Sequence, residues 1–218
     1  YYYLQAQTSE DQSDSVGFQV AEYRRPEFEV SVTTDRDQVL AGDTINVSVQ
    51  ATYYFGGPVS NAAVSWTLLT QDVAFQPDVP GWWDWSDTSN WDWWEPQEVP
   101  GWGRVIADGE GTTDSQGRFT FSVPADIADA VLTQQFTVEA TVTDVSDQSV
   151  SNRTTVIVHK GLFYIGLRPT RYVGQVGEEE SVEIRTVDWD SEAVGRVPLV
   201  VAFNRREWLN VQEEDEYG

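Results

Sequence analysis

The chain has 218 residues, and its 36 acidic and 13 basic side chains give a formal net charge of −23. This charge argues against nucleic acid and anionic membrane surfaces as partners, because binding to phosphate groups requires clustered Lys and Arg. With 40% hydrophobic and 13% aromatic residues, the chain is also too apolar to be intrinsically disordered.

An alternation of apolar and polar residues dominates the chain. It is clearest in residues 44–53, where Ile45, Val47 and Val49 alternate with polar side chains. Successive side chains of a strand point to opposite faces, so each such run predicts a strand with one buried face. In chain order, the predicted strands of one complete unit are residues 26–33, 44–53, 62–70, 104–109, 117–123, 133–143 and 150–159.

Turn signals rich in Gly, Asp and Pro separate these strands, and the weak helical pattern of residues 124–132 predicts a single turn. Seven antiparallel strands in about 100 core residues are typical of an all-β, immunoglobulin-like or fibronectin-III-like sandwich. The apolar members of the strands predict its core. They include Phe28, Val30, Val47, Val49, Trp66, Phe119, Phe121, Phe136 and Val138.

A repeat with an offset of 135 residues organises the chain. It places residues 28–30 on 163–165 and the turn at 41–43 on the turn at 176–178. Because strands and turns match in the same register, the repeat indicates tandem units of one fold.

The repeat predicts three parts. Residues 1–24 are the last strands of a preceding domain, 25–159 form a complete domain, and 160–218 are the first strands of a following domain. Two or three strands bury too little apolar area to be stable alone. We therefore expect the parent protein to extend beyond the chain at both ends, as the absence of Met also indicates for a processed or excised piece.

One long connection interrupts the complete domain. This Trp-rich insert, residues 71–103, lies between the third and fourth strands, and acidic residues alternate with its aromatic ones. A connection of this length is usually functional or disordered. Its Trp residues are the candidate interaction surface of the chain: Trp82, Trp83, Trp85, Trp91, Trp93, Trp94 and Trp102.

Four segments carry a family resemblance. They are residues 23–30 (Tyr-Arg-Arg-Pro-Glu-Phe-Glu-Val), 53–66 (with Tyr-Tyr-Phe-Gly-Gly-Pro-Val), 109–119 (Gly-Glu-Gly-Thr-Thr-Asp-Ser-Gln-Gly-Arg-Phe) and 158–167 (Val-His-Lys-Gly-Leu-Phe-Tyr-Ile-Gly-Leu). In this order and spacing they resemble tandem macroglobulin-like (MG) domains from the N-terminal half of the bacterial alpha-2-macroglobulin family.

The resemblance implies a structural segment of a protease-trapping inhibitor of the cell envelope, periplasmic or extracellular. In that family the macroglobulin-like domains stack into a frame, and a protease that cuts an exposed bait segment is enclosed, in many members with a covalent thioester link. This sequence has no Cys, so it holds no thioester, and we identify no bait segment in it. The implied partners are proteases, reached through the full-length parent, and neighbouring macroglobulin-like domains of the same chain.

The Trp-rich insert has several interpretations. Its aromatics could cover the sandwich or a neighbouring domain, form a docking surface, or stack on sugar rings as a carbohydrate-binding platform. Asp84, Asp87, Asn90 and Asp92 could supply oxygen ligands to calcium, but their spacing does not match an EF-hand loop. We expect the insert to be largely ordered, with several Trp packed against its own domain or a neighbour.

The residue inventory argues against an enzyme. The single His, His159, excludes a multi-His metal site, and it is expected to make a contact at the domain boundary. Carboxylates are abundant, but no pair stands out for glycosidase chemistry. The chain has no run of about 20 apolar residues, so we predict no direct membrane insertion. We therefore predict no catalytic, cofactor-binding or metal site, with a surface adhesin-type array or a carbohydrate-binding module as the alternative functions.

Overall fold

The computed structural model describes the backbone of residues 2–7 and 13–18, and residues 26–85 and 103–205 in full. The chain divides into two compact units. The first unit comprises Tyr1–Phe75 and Asp87–Gly161, and the second comprises Gln76–Ser86 and Leu162–Gly218. Within the described ranges every regular element is a strand, and no helix there could span a membrane.

The structure has twelve strands in the described residues. In chain order they are β1 (Tyr2–Gln7), β2 (Ser13–Phe18), β3 (Phe28–Thr34), β4 (Gln38–Leu40), β5 (Thr44–Tyr53), β6 (Ala63–Val73), β7 (Arg104–Thr112), β8 (Arg118–Pro124), β9 (Thr133–Thr143), β10 (Ser149–His159), β11 (Tyr164–Pro169) and β12 (Val182–Val187).

Two sheets of the first unit form a sandwich. One has the strand order β3-β5-β8, and the other has the order β4-β10-β9-β6-β7. All pairs are antiparallel except β4 with β10, which is parallel. β1 and β2 form a separate hairpin, and β11 and β12 form the two-stranded sheet of the second unit. The predicted all-β immunoglobulin-like sandwich is confirmed.

The strand count of seven was wrong by one strand. Residues 28–159 contain eight strands, because Gln38–Leu40 pairs in parallel with Ile157, Val158 and His159 at the end of β10. Three residues are too few to show an alternating pattern, so this strand has no signature of its own in the sequence. Residues 125–132, after the end of β8, form a turn without a helix, and Ala125 and Ile127 from this turn are buried in the core.

The core contains most of the predicted side chains. Phe28, Val30, Val47, Val49, Phe136 and Val138 are buried, and side chains from both sheets join in one cluster. The prediction was wrong for Trp66, Phe119 and Phe121, which are only half-buried. These three rings lie where β6, from one sheet, faces β8, the edge strand of the other. Trp66 stacks on Phe121 with ring centroids 4.3 Å apart, and Phe119 lies 5.6 Å from Phe121.

Two glycines of β7 make room for these aromatic rings. A Cβ at Gly109 would lie 2.7 Å from the Trp66 ring, and a Cβ at Gly111 would lie 2.2 Å from the Phe119 ring. Neither gap leaves space for a carbon atom. The glycines therefore let the rings close the side of the sandwich between β7 and β8.

We expect Gly111→Val to destabilise the first unit by about 1–3 kcal/mol, because the added methyl groups must displace the Phe119 ring. Urea unfolding followed by far-UV circular dichroism measures the effect. Thr112→Val is the matched control, since Thr112 is exposed on the same strand and the substitution barely changes its size. Equal unfolding midpoints for the two variants would contradict the packing described at Gly111.

Three hairpin turns share one hydrogen-bonding device. Asp114, Asp144 and Asp188 each accept on Oδ1 from the N–H groups two and four residues later, at 2.8 to 3.1 Å. The third residue after each has a positive φ, of 72°, 58° and 69°, and only the first of these is a glycine, Gly117. These hydrogen bonds lower the pKa of Asp114 below its ordinary value. The bond from the Arg118 N–H has the largest effect, and the bond from the Gln116 N–H has the next largest.

Candidate interaction site

The structure describes three of the seven Trp residues predicted as an interaction surface. Trp83 and Trp85 are half-buried, whereas Trp82 is 65% exposed. Trp91, Trp93, Trp94 and Trp102 lie outside the described residues. We refer to residues 76–85, the part of the insert that belongs to the second unit, as the Trp arm.

The Trp arm pairs with strand β11 through its backbone. The Asp84 N–H donates to the Leu167 carbonyl and the Leu167 N–H donates to the Asp84 carbonyl, both at 2.9 Å. The two residues form an isolated antiparallel bridge. Because β12 pairs with the other edge of β11, the arm lies along the edge that β12 leaves open.

The antiparallel register places each Trp opposite a particular residue of β11. Trp83 faces Arg168 and Trp85 faces Gly166, and both rings lie on the same side of the strand. The Arg168 guanidinium carbon is 4.5 Å from the centroid of the Trp83 ring, which is a cation–π contact. The two Trp rings are 5.9 Å apart and inclined by 37°.

Gly166 provides a flat surface for the second ring. It is buried, and a Cβ at this position would lie 2.6 Å from the Trp85 ring. Any side chain at residue 166 would therefore occupy the space that Trp85 fills. Glycine in the middle of a strand often marks such a close approach by another group.

Further contacts fix the arm and its partner strand. Arg168 forms an ion pair with Glu183 of the neighbouring strand β12, which orients the guanidinium group. The Trp83 Nε1–H donates to the Pro80 carbonyl at 3.1 Å. Gly81 has a φ of +93°, and a Cβ at this position would lie 2.7 Å from a guanidinium nitrogen of Arg168. At the start of the arm, the Asp78 N–H donates to Ser191 Oγ at 3.0 Å.

The calcium interpretation gains no support from the described residues. Asp84 is the only one of its four candidate ligands among them, and Asp87, Asn90 and Asp92 lie outside them. Within residues 26–85 and 103–205, no group of three or more His, Asp or Glu side chains could hold a metal ion.

His159 lies inside the first unit. Its side chain is 2% exposed, and Nε2 donates to Gln38 Oε1 at 2.9 Å, since an amide oxygen only accepts. The Phe75 ring meets the imidazole edge-on, with centroids 6.0 Å apart. Burial lowers the pKa of His159 to about 4, so the ring is neutral at pH 7. The residue joins β10 to the short strand β4.

Reasoning from the sequence missed the residues that receive the arm. Arg168, Gly166 and Leu167 were not singled out, because strand alternation alone does not say which strand an insert contacts. The one signal was Gly166 itself, an isolated glycine between Ile165 and Leu167 in an alternating run.

Comparisons with known proteins match this fold. The macroglobulin domain MG3 family matches residues 22–130. An alpha-2-macroglobulin homologue of Nostoc sp. is 26% identical over 188 residues, which cover 86% of this chain and 10% of that protein. Alpha-2-macroglobulin of Thermotoga maritima is 41% identical over 49 residues, or 22% of this chain and 3% of that protein. The chain thus spans about a tenth or less of the length of these relatives.

Solved structures of alpha-2-macroglobulins share the fold. Escherichia coli alpha-2-macroglobulin activated by porcine elastase superposes with a TM-score of 0.54 at 16% identity, over 87% of this chain and 16% of that one. A point mutant of Salmonella alpha-2-macroglobulin gives a TM-score of 0.53 at 16% identity, over 89% of this chain and 13% of that one. Because the MG3 match covers 109 of its 218 residues, half of the chain, the chain belongs to the bacterial alpha-2-macroglobulin family, as a macroglobulin-domain segment.

Proposed function

We propose that the chain is a non-catalytic structural segment of an alpha-2-macroglobulin-like protein that traps proteases. The observation that carries this proposal is the MG3 match over residues 22–130, which coincides with most of the eight-stranded sandwich. A domain of this kind supplies a rigid body in a larger frame, and its sandwich needs no reactive group to do so.

The proposed domain organisation has three parts. Residues 1–24 are the last strands of a preceding macroglobulin-like domain, 25–159 a complete one, and 160–218 the first strands of the next. The separate pairing of the β1–β2 hairpin, the sandwich of β3 to β10 and the sheet of β11 and β12 supports this division, although residues 76–86 of the insert group with the second unit.

The non-catalytic role is supported by the chemistry of the residues. The chain has no Cys and so cannot hold a thioester, and its one His is buried and neutral in the first unit. Proteases would reach the parent protein elsewhere along its length. The family membership supports a location in the cell envelope, periplasmic or extracellular.

The positions of Trp83 and Trp85 disfavour a carbohydrate platform. Their rings pack on β11 and on each other, so they do not present two free faces to a sugar ring. Trp82 is exposed, but a single ring does not distinguish a carbohydrate-binding module from an ordinary surface.

The proposal is tested by comparing the chain with its parent protein. We expect the isolated chain, at an equimolar ratio, to leave trypsin, elastase and subtilisin fully active on a large protein substrate and to form no covalent adduct. The full-length parent should reduce the same cleavage, because it carries the bait and enclosing domains. Substantial inhibition by the chain alone, or none by the parent, would show that the proposed division of roles is wrong.

A further inference from the structure

We propose that β11 carries a selective acceptor site for an extended Trp-X-Trp peptide, where X is any residue, which residues 83–85 occupy in this chain. The site consists of the backbone of Leu167, the guanidinium group of Arg168 and the bare surface of Gly166. It goes beyond the proposed frame function, because it assigns a peptide-binding activity to one strand edge.

The recognition has two components. The paired hydrogen bonds between Asp84 and Leu167 recognise any extended backbone, as in other cases where a peptide adds to a sheet edge. Selectivity comes from the side chains on either side of that bridge. The Arg168 guanidinium group forms a cation–π contact with an aromatic ring. Gly166 has no side chain, so a large ring can pack directly on its backbone.

The acceptor is preorganised by contacts that do not involve the Trp rings. Glu183 pairs with Arg168 from β12, and the six-residue register between β11 and β12 fixes the strand that carries the site. An oriented guanidinium group loses less side-chain entropy when an aromatic ring packs on it. The site therefore has the properties of a receptor surface as well as those of an internal packing contact.

The insert holds a second sequence of the same chemistry. Residues 91–93 repeat Trp-Asp-Trp, and Val-Pro-Gly-Trp occurs both at 79–82 and at 99–102. The chain thus offers two peptides of the proposed class to one acceptor. The proposal assigns the acceptor to residues 83–85, and the second tripeptide supplies a control with the same three residues.

The first test is a cysteine trap in the full chain, which has no Cys of its own. Reciprocally hydrogen-bonded residues have Cα atoms about 5.5 Å apart, within the range that a disulfide spans. We expect Asp84→Cys with Leu167→Cys to form a disulfide under mild oxidation at least tenfold faster than Asp92→Cys with Leu167→Cys. Equal rates for the two pairs, or no disulfide in the first pair, would overturn the assignment of residues 83–85 to the acceptor.

The second test measures recognition in trans. A variant lacking residues 79–101 retains all twelve strands of the described residues, and a peptide of residues 79–86 is titrated into it by calorimetry, with circular dichroism to verify the fold. We expect saturable 1:1 binding that weakens at least tenfold when Trp83 and Trp85 of the peptide are both replaced by Ala. The acceptor substitution Gly166→Val should weaken the binding of the native peptide by a similar factor.

The outcomes of the second test are distinct. Absence of binding to the folded variant, or equal binding of the native and Ala peptides, would overturn the proposed selectivity. Binding that Gly166→Val leaves unchanged would place the peptide elsewhere and overturn the site. If the shortened variant does not fold, the cysteine trap in the full chain still decides whether residues 83–85 occupy the acceptor.

Discussion

Replacing Phe136 with Ala is expected to destabilise the first unit by about 3–5 kcal/mol. Phe136 is fully buried in β9, between β6 and β10, and its ring packs in the core to which both sheets contribute. Truncation to Ala removes the transfer free energy of the ring and leaves a cavity that rigid sheets fill poorly. A loss of this size is a large part of the whole stability of a typical domain.

Hydrogen exchange resolved by peptide measures this effect in the β9 and β10 amides, so that unfolding of the second unit does not obscure it. Phe121→Ala is the matched control. It removes the same atoms from a half-buried position and should cost less. If Phe121→Ala destabilised the unit as much as Phe136→Ala, the half-exposed edge described for β8 would be wrong.

The stability of the first unit is expected to fall by about 3 kcal/mol as the pH drops from about 7 to about 4, through His159 alone. Burial lowers the pKa of His159 from the ordinary 6.5 to about 4. Between these two values the unfolded chain binds a proton that the folded chain does not, so acidification favours unfolding. The contribution is fully present above pH 6.5 and is lost progressively down to pH 4.

Urea unfolding at a series of pH values, for the native chain and His159→Gln, isolates this contribution. Gln keeps a polar group near Gln38 but does not titrate, so the native chain should show the steeper decline between pH 6.5 and 4. Asp35 and Asp114 have lowered pKa values, Asp35 chiefly through the Asn46 side chain and Asp114 chiefly through the Arg118 N–H. Their contributions are lost at lower pH and are common to both proteins. Parallel curves would mean that folded His159 is accessible to protons at its ordinary pKa.

The alternating pattern predicted the long strands well. β5 and β9 have the same bounds as predicted, Thr44–Tyr53 and Thr133–Thr143, because each has one face in the core over its whole length. The pattern was less informative at the edges of the sheets. Trp66, Phe119 and Phe121 alternate like core residues, but their burial depends on how far β7 and β8 cover them, which is a tertiary property.

The interaction surface on the Trp residues of the insert stays a prediction, and the strand that the Trp arm contacts was not predicted. An aromatic, acidic connection of unusual length identified the insert, and Trp83 and Trp85 indeed pack on a strand. The prediction that most of the insert is ordered stays a prediction for residues 86–102. Arg168 and Gly166 lie more than 80 positions away along the sequence, and only pairing in three dimensions brings them to the Trp arm.

This separation has a consequence for the order of events during synthesis. Asp84 leaves the ribosome 83 residues before Leu167, and the strands β7 to β10 are made in between. At about 5–20 residues per second, the arm waits roughly 4–17 seconds for the strand it pairs with. During this time Trp83 and Trp85 lack their final partner on the nascent chain. The acidic residues between and beside them keep the nascent chain soluble. The strands of the sandwich around Phe136 can therefore pair before β11 is synthesised. The Trp arm, although synthesised before β7 to β10, then pairs with β11 after them.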